Sequence, residues 1–256
     1  MEKILLKELE VEIAYDKIGT GKKSVILLHG WGTDRSLMQP VADKLAKYFT
    51  IYNLDWCGFG DSPEPPRAFD TIDYTLVLKQ FIKQLAICDP ILIAHSFGCR
   101  IAMRYASQNS VSKMVLTGAA GLKPKRSLDY YAKVYSYKGL KKIAKLPLFK
   151  NIIDPNKWGS TDYKNTSGIM RSTFVKVVNE DVAGLLGSIT SEVLLVFGAN
   201  DEATPLWMGE YLANNLANAG LAIFDNDDHY AYLHQLDRFI KVIKIFLQEE
   251  IHEGTV

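Results

Sequence analysis

The chain is short of most features that would take it out of the ordinary globular class. Cysteine is scarce: Cys57, Cys88 and Cys99 are the 3 in 256 residues. Their odd number and wide spacing exclude a disulfide framework and leave no pair at metal-ligand spacing. No apolar run approaches the roughly 20 residues that a membrane-spanning helix needs. The stretch from Met1 to Glu12 carries charges throughout and lacks the apolar core of a signal peptide. The cytoplasm is therefore the expected compartment. An excess of charge of one sign is missing too. The net charge is +1, which gives no overall electrostatic case for nucleic acid. There is no internal repeat and no low-complexity tract. What remains, 48% hydrophobic and 23% charged residues, fits one large α/β domain, or one core with an insertion.

What is present is an alternation of strand and helix patterns. Residues 3–7 and 10–18 alternate apolar and polar side chains and read as an antiparallel pair with one face on a core. Ser24 to Leu28 is a continuous apolar strand, as in a parallel sheet covered on both faces. It runs into His29-Gly30-Trp31-Gly32. Residues 36–48 are amphipathic and predict a helix. Ile51 to Leu54 is the next strand, followed by Asp55-Trp56-Cys57-Gly58-Phe59-Gly60-Asp61-Ser62 and a proline-rich stretch. A helix over 70–86 is expected, capped by Asp70 or Thr71. Strands follow at 91–94 and 111–117. Such βαβ periodicity means a parallel sheet, and sites in these sheets lie at the carboxyl ends of the strands. The loops at 29–32, 55–62 and 95–98 should therefore share one rim.

The centre of the pattern is Ile91-Leu92-Ile93-Ala94-His95-Ser96-Phe97-Gly98-Cys99. A strand enters, a helical pattern leaves, and a serine sits on the turn. This is a nucleophile elbow: the sharp turn strains the serine backbone and holds its hydroxyl clear of neighbouring side chains. The new helix aims backbone N–H groups at the same point. Strand and helix pass so closely that the residues two before and two after the serine must be small. Here they are Ala94 and Gly98. The 29–32 loop, with two glycines straight after a buried strand, has the form an oxyanion hole needs. His29 in that loop reads as structural, bracing it.

From about residue 122 the pattern changes, and no strand signal returns before Glu192. The 122–190 segment is helical and aromatic, with Tyr130, Tyr131, Tyr135, Tyr137, Phe149, Trp158, Tyr163 and Phe174. It holds 13 Lys and Arg against 5 Asp and Glu, a local charge of +8. The expected domain plan is a core of 1–121 and 191–256 with 122–190 inserted as a helical cap over the active rim. Its charge suits an anionic substrate group or an acidic carrier. A solvated helix face accounts for it as well.

The sheet resumes at Val193 to Phe197 and ends in Gly198-Ala199-Asn200-Asp201. A helix over 205–217 follows, then a short strand at 221–224, the loop Asp225-Asn226-Asp227-Asp228-His229-Tyr230, and a terminal helix over about 231–249. Ser96, Asp201 and His229 thus each stand just past a strand. A serine hydroxyl is a poor nucleophile until a base in hydrogen-bond reach takes its proton. The histidine needs a carboxylate on its other nitrogen to fix its tautomer and stabilise the imidazolium. Asp201 is the expected acid. Asp225 and Asp227 are alternatives, whereas the neighbouring Asp228 points its side chain the wrong way.

These motifs together resemble the α/β-hydrolase superfamily, in its cap-bearing branch of carboxylesterases and meta-cleavage hydrolases, over nearly the full length. His29-Gly30-Trp31-Gly32 is similar to the family's HGxG loop, and Asp55-x-x-Gly58-x-Gly60-x-Ser62 to its DxxGxGxS turn. His95 to Gly98 corresponds to the elbow, Gly198-x-x-Asp201 to the acid loop and His229 to the base. The resemblance implies an α/β-hydrolase fold with a mostly parallel sheet and helices on both faces. It implies an acyl-enzyme mechanism with no metal or organic cofactor, and oxyanion donors on the backbone N–H groups of Trp31 and Phe97. Ala94 replaces the family's first elbow glycine, adding only a methyl. His234 stands where many members carry a glutamate, and no chemistry is assigned to it. A serine nucleophile argues against haloalkane dehalogenase and epoxide hydrolase activity, and against the cysteine-dependent dienelactone type. The expected activity is hydrolysis of a small or medium carboxylic ester. Carbon–carbon bond hydrolysis and non-catalytic ligand binding are the alternatives. The HGWG loop and cap also resemble those of esterases that demethylate an ester held on an acyl carrier protein.

Overall fold

A computed structural model of the chain, described over residues 1–123, 163 and 165–254, builds an α/β architecture around one sheet. The first two strands, β1 (Glu2–Leu6) and β2 (Val11–Ile18), pair antiparallel. Their alternation buries Ile4, Leu6, Val11, Ile13 and Tyr15. Then come β3 (Ser24–Leu28), a 3-10 turn (Arg35–Met38), α1 (Gln39–Leu45), β4 (Thr50–Leu54), α2 (Thr71–Gln84), β5 (Ile91–His95), α3 (Phe97–Ala106) and β6 (Lys113–Thr117). Beyond the segment 124–162 follow α4 (Gly168–Val177), a 3-10 turn (Ala183–Ser188), β7 (Glu192–Gly198), α5 (Leu206–Asn215), β8 (Ala219–Phe224), α6 (Ala231–His234), α7 (Leu236–Phe246) and α8 (Gln248–Gly254). The strand order is β1-β2-β4-β3-β5-β6-β7-β8. From β4 onward across the sheet every neighbouring pair is parallel.

The continuous apolar strands are explained by the two faces they serve. Successive side chains point to opposite sides of a sheet. Along β3, Ile26 and Leu28 join one buried cluster while Val25 and Leu27 join the other. Along β5, Leu92 and Ala94 divide from Ile91 and Ile93 in the same way. The first face is covered by α2 and α3, through Tyr74, Val77, Leu78, Phe81, Ile101 and Ala102. The second is covered by α1 and α7, through Val41, Leu45, Phe239 and Ile243. Truncating a fully buried residue such as Leu27 or Ile93 to alanine costs about 2–5 kcal/mol.

Chain order sets where the site forms. From β3 the chain moves outward to β4, then returns to the other side of β3 as β5. The connections diverge there, so a crevice opens at the carboxyl ends of β3 and β5. The loops beginning at His29 and Ser96 leave from those two ends.

Helix boundaries follow local chemistry. Asp70 caps α2: its carboxylate accepts from the N–H groups of Ile72 and Asp73, and Asp73 returns a bond to the Asp70 N–H at 2.9 Å. The helix expected over 36–48 opens as a 3-10 turn in which the Ser36 N–H donates to the Asp34 carboxylate at 2.8 Å. The expected single terminal helix is three pieces, broken at Gln235 (φ −113, ψ 47) and Leu247 (φ −99, ψ 20). At the first break, His234 and Gln235 both reach back to Asp227, which holds that turn to the preceding loop.

Of the expected cap, Tyr130, Tyr131, Tyr135, Tyr137, Phe149 and Trp158 lie outside the described residues, as do the lysines from Lys125 to Lys164. The described part contains α4. Its buried residues Met170, Thr173, Phe174 and Val177 follow an i, i+3, i+4, i+7 spacing, the single stripe of an amphipathic helix.

Candidate active site

Ser96 joins β5 to α3 with φ 49 and ψ −106. A serine in this region is strained by about 1–3 kcal/mol, and such strain persists only where the surroundings impose it. Here they do. The Ser96 N–H donates to Thr117 O at 3.0 Å, and the Ser96 carbonyl accepts from Cys99 N–H at 3.1 Å. The strand is locked into the sheet and the helix starts at once. The tight packing foreseen at Gly98 is present: a Cβ there would lie 2.4 Å from Leu28 O. Ala94 pairs with Leu28 in the β3–β5 register and is fully buried, so its extra methyl is accommodated.

Asp201 and His229 come together. His229 Nδ1 lies 2.7 Å from Asp201 Oδ2. A carboxylate oxygen accepts, so the proton sits on Nδ1 and Nε2 is left as an acceptor. Asp201 is held by three further donors: the Thr204 hydroxyl to Oδ2 at 2.6 Å, and the Ala203 and Thr204 N–H groups to Oδ1 at 2.8 Å each. Burial alone would raise the Asp201 carboxyl. The hydrogen bonds from His229 and Thr204 outweigh it and leave the pKa below the usual carboxylate value. Asp201 therefore stays ionised beside the histidine. The alternatives are turned elsewhere. Asp227 faces His234 at 2.7 Å, Asp228 accepts from Tyr230 N–H at 2.8 Å, and Asp225 is exposed.

The third link is spatial. Ser96 N–H bonds to Thr117 O, and the next residue, Gly118, packs against the His229 ring, where a Cβ would come within 3.0 Å of Cε1. Among the described residues no hydrogen bond joins Ser96 Oγ to His229. In free enzymes this contact is often long and tightens only with substrate.

The loop at 29–32 is braced by His29, as the sequence anticipates. His29 is fully buried. Its Nδ1–H donates to Gly30 O at 2.7 Å and its Nε2 accepts from Trp56 N–H at 3.0 Å. Both nitrogens are used, and burial pushes the pKa down to about 4, so His29 is a neutral structural group. The N–H groups of Trp31 and Phe97 carry no hydrogen bond to another described residue, as donors kept for a developing charge would require. The 55–62 turn is a brace as well. Asp55 is fully buried and accepts from Arg35, from the Arg35 N–H at 2.7 Å and from Asp61 N–H at 2.8 Å. Ser62 ties the Asp55 carbonyl to the Ala14 N–H, with both bonds at 2.9 Å.

Above these loops α4 lays down its apolar stripe. Phe174 packs on Trp31 with ring centroids 5.2 Å apart, and Phe59 and Phe97 meet Trp31 edge-on at 4.9 and 5.4 Å. Aromatic pairs of this kind contribute about 0.5–1.5 kcal/mol each beyond their burial. Thr173 Oγ1 accepts from Phe69 N–H at 3.1 Å and Lys176 donates to Ala68 O at 2.6 Å. The wall beside the 29–32 loop is thus apolar and aromatic. The strand ends gather Ser96, Asp201 and His229, with Trp31 and Phe97 beside them. Sequence reasoning misses Thr204, whose only signal is a hydroxyl three residues after the acid. It also passes over His95, which reads there as no more than part of the elbow motif.

The arrangement has known counterparts. A sequence model of the alpha/beta hydrolase family matches residues 25–242. The chain is 20% identical over 245 residues to a pimeloyl-[acyl-carrier protein] methyl ester esterase of Aliivibrio fischeri, covering 88% of this chain and 93% of that protein. It is 23% identical over 270 residues to a 2-hydroxy-6-oxononadienedioate/2-hydroxy-6-oxononatrienedioate hydrolase of Pseudomonas putida, covering 94% and 93%. The structure superposes on an esterase from Exiguobacterium antarcticum with a TM-score of 0.76 at 22% identity, over 96% of this chain and 98% of that one.

Proposed function

The chain belongs to the alpha/beta hydrolase family, and from that premise we propose that it is a serine hydrolase cleaving a carboxylic ester of a small or medium acyl substrate. The observation that carries the reading is the strained Ser96 backbone, φ 49 and ψ −106, at the end of β5, beside a histidine already paired with a carboxylate. A surface serine on a plain strand–helix turn has no reason to be strained.

In the proposed cycle Ser96 Oγ attacks the ester carbonyl carbon and its proton passes to His229 Nε2. Asp201 holds the Nδ1–H and stabilises the imidazolium. The carbonyl oxygen, now negative, takes the N–H groups of Trp31 and Phe97. Collapse breaks the carbon–oxygen bond, and His229 gives its proton to the departing alkoxide. A water, deprotonated in turn by His229, releases the acid and restores Ser96. The acyl group lies against Trp31, Phe59, Phe97 and Phe174, whose apolar faces favour an uncharged acyl portion.

We take 122–190 as a cap over this rim, a reading supported by the seating of α4 on Trp31 and Phe69. Its positive charge, together with the carrier-bound ester in the name of the Aliivibrio relative, supports an anionic carrier or substrate group at the cap. Rates on an acidic substrate should then fall as salt rises, and flat kinetics across salt would remove that part of the proposal. The proposal includes a cytoplasmic location, tested by cell fractionation. Among the described residues no helix is long and apolar enough to cross a membrane.

The Pseudomonas relative, a hydrolase of a hydroxy-oxo-dienedioate, favours carbon–carbon bond cleavage as the second reading. Parallel assays on p-nitrophenyl esters and on a vinylogous diketone separate the two. Ester turnover lost in Ser96→Ala supports the first. Diketone turnover with inert esters replaces it with the second. A Ser96→Ala protein that keeps its full biological effect would make the molecule a binding protein.

A further inference from the structure

His95 lies directly before the proposed nucleophile, yet the cycle above gives it no part. It is 1% exposed. Its Nδ1–H donates to Thr117 O at 3.2 Å, across the β5–β6 register in which the two residues are partners. Its ring is packed by Tyr232 at 4.8 Å and Tyr230 at 5.2 Å, and it lies 4.6 Å from the His229 ring at an interplanar angle of 50°. Its Cδ2 edge lies over Gly30, where a Cβ would come within 3.0 Å. One imidazole thus touches the oxyanion loop, the sheet and the base.

We propose that His95 is a positioning residue: its sheet-anchored ring is the surface that sets the plane of the His229 imidazole and aims Nε2 at Ser96. The inference rests on the serine-hydrolase reading above. The geometric reason is that Asp201 grips only one point of His229. Asp201 Oδ2 at 2.7 Å and Thr204 Oγ1 at 3.2 Å both meet His229 at Nδ1, so a swing of the ring about the line from Cβ to Nδ1 is left open, and it carries Nε2 away from the serine. Fixing the plane requires contact with a ring face. His95 supplies that contact, and Tyr230 packs against both imidazoles, edge-on to His229 at 5.5 Å and at 5.2 Å from His95. A positioning ring must itself be immobile, which the Thr117 tether and the two tyrosines provide.

The electrostatics agree with this role. Burial, with the nearby His229 adding to it, pushes the His95 pKa down to about 3. His95 therefore stays neutral when His229 takes the serine proton. A neutral aromatic ring beside a new imidazolium attracts it weakly, whereas a second cation would oppose proton transfer.

Two variants separate ring from tether. His95→Phe keeps an aromatic face against His229 and loses the donor to Thr117. His95→Asn keeps a donor for Thr117 and loses the face. On p-nitrophenyl butyrate, His95→Phe should hold kcat within about fivefold and His95→Asn should lose about 10- to 100-fold, with KM unchanged in both, as for a reacting group slightly out of place. The Nδ1–H proton of His229, followed by NMR, should stay sharp and downfield in His95→Phe and broaden in His95→Asn. Equal kcat losses in the two variants, or an unchanged His229 proton in His95→Asn, would overturn the proposal and leave His95 a core residue. If the wild type neither turns over esters nor takes a fluorophosphonate, the function has failed, and the two His229 spectra still decide the placement of the ring.

Discussion

Two histidine–aspartate pairs meet at the loop after β8, and their hydrogen bonds are equal in length. His229 Nδ1 lies 2.7 Å from Asp201 Oδ2, and His234 Nδ1 lies 2.7 Å from Asp227 Oδ1. The histidine side chains differ: that of His229 is 15% exposed and that of His234 is 53% exposed. The first pair joins two loops, its imidazole resting on His95 and Gly118 beside Ser96. The second joins the loop to the last residue of α6, its imidazole facing water, and Asp227 also takes Gln235 at 2.9 Å and the Asp228 N–H at 3.0 Å. A short hydrogen bond does not by itself make a catalytic dyad. What the second pair does is hold the loop that carries His229. The Asp227 carbonyl accepts from Asn200 N–H at 2.8 Å, so fixing Asp227 ties the loop after β8 to the loop after β7.

The sharpest way to break this distinction is to remove each histidine. His229→Ala should cost on the order of 10⁴-fold or more in kcat, while His234→Ala should stay within about threefold, since surface changes remote from the reacting atoms are usually small. Comparable losses in initial-rate assays would erase the difference between the pairs. Next in size are the acids. Asp201→Asn leaves the shape and misdirects the His229 tautomer, for a loss of about 10⁴-fold. Asp227→Asn should keep kcat within about tenfold and show itself in denaturant melts as about 1–3 kcal/mol of lost stability.

A smaller effect is expected at Thr204, whose hydroxyl shares Asp201 Oδ2 with His229. Thr204→Val keeps the volume and removes one donor. The loss of a hydrogen bond to a charged group predicts about a tenfold fall in kcat. An unchanged kcat would show that Asp201 is fully held by the two loop N–H groups.

The smallest effect is a pH signature of the outer pair. The Asp227 hydrogen bond, with the charges of Asp228 and Asp227 beside the ring, raises the His234 pKa above 6.5. For Asp227, burial acts upward but the bonds from His234 and Gln235 win, so its pKa falls below 3.8. The raised histidine stabilises fully below its unfolded pKa and loses that contribution as pH rises through its folded one. The depressed carboxylate stabilises fully above its unfolded pKa and loses it as pH falls through its folded one. The Tm difference between wild type and His234→Gln should therefore be greatest between about pH 4 and 6.5 and shrink on both sides. A difference that does not change with pH would mean that the pair is not an ion pair.

Much of this was legible in the sequence, for physical reasons. Buried parallel strands read as unbroken apolar runs at 24–28, 91–94 and 193–197. Glycine and small residues mark close approach at the elbow. Ser96, Asp201 and His229 could be named because each follows a strand, and the parallel sheet brings such positions to one edge. What escaped depends on side chains reaching across loops. Nothing local signals that His234 and Gln235 turn back to Asp227 and divide the terminal helix, since neither glycine nor proline marks the break. Thr204 and His95 are equally silent, because their roles come from the rings and carboxylates they meet.

The central claim is that Ser96 is an activated nucleophile and that only the inner pair activates it. Labelling with a fluorophosphonate, followed by peptide mapping, tests this directly on the wild type, Ser96→Ala, His229→Ala and His234→Ala. Label is expected on Ser96 alone in the wild type and in His234→Ala, and none in the other two on the same timescale. Label elsewhere, no label on folded wild type, or label undiminished in His229→Ala would contradict the claim.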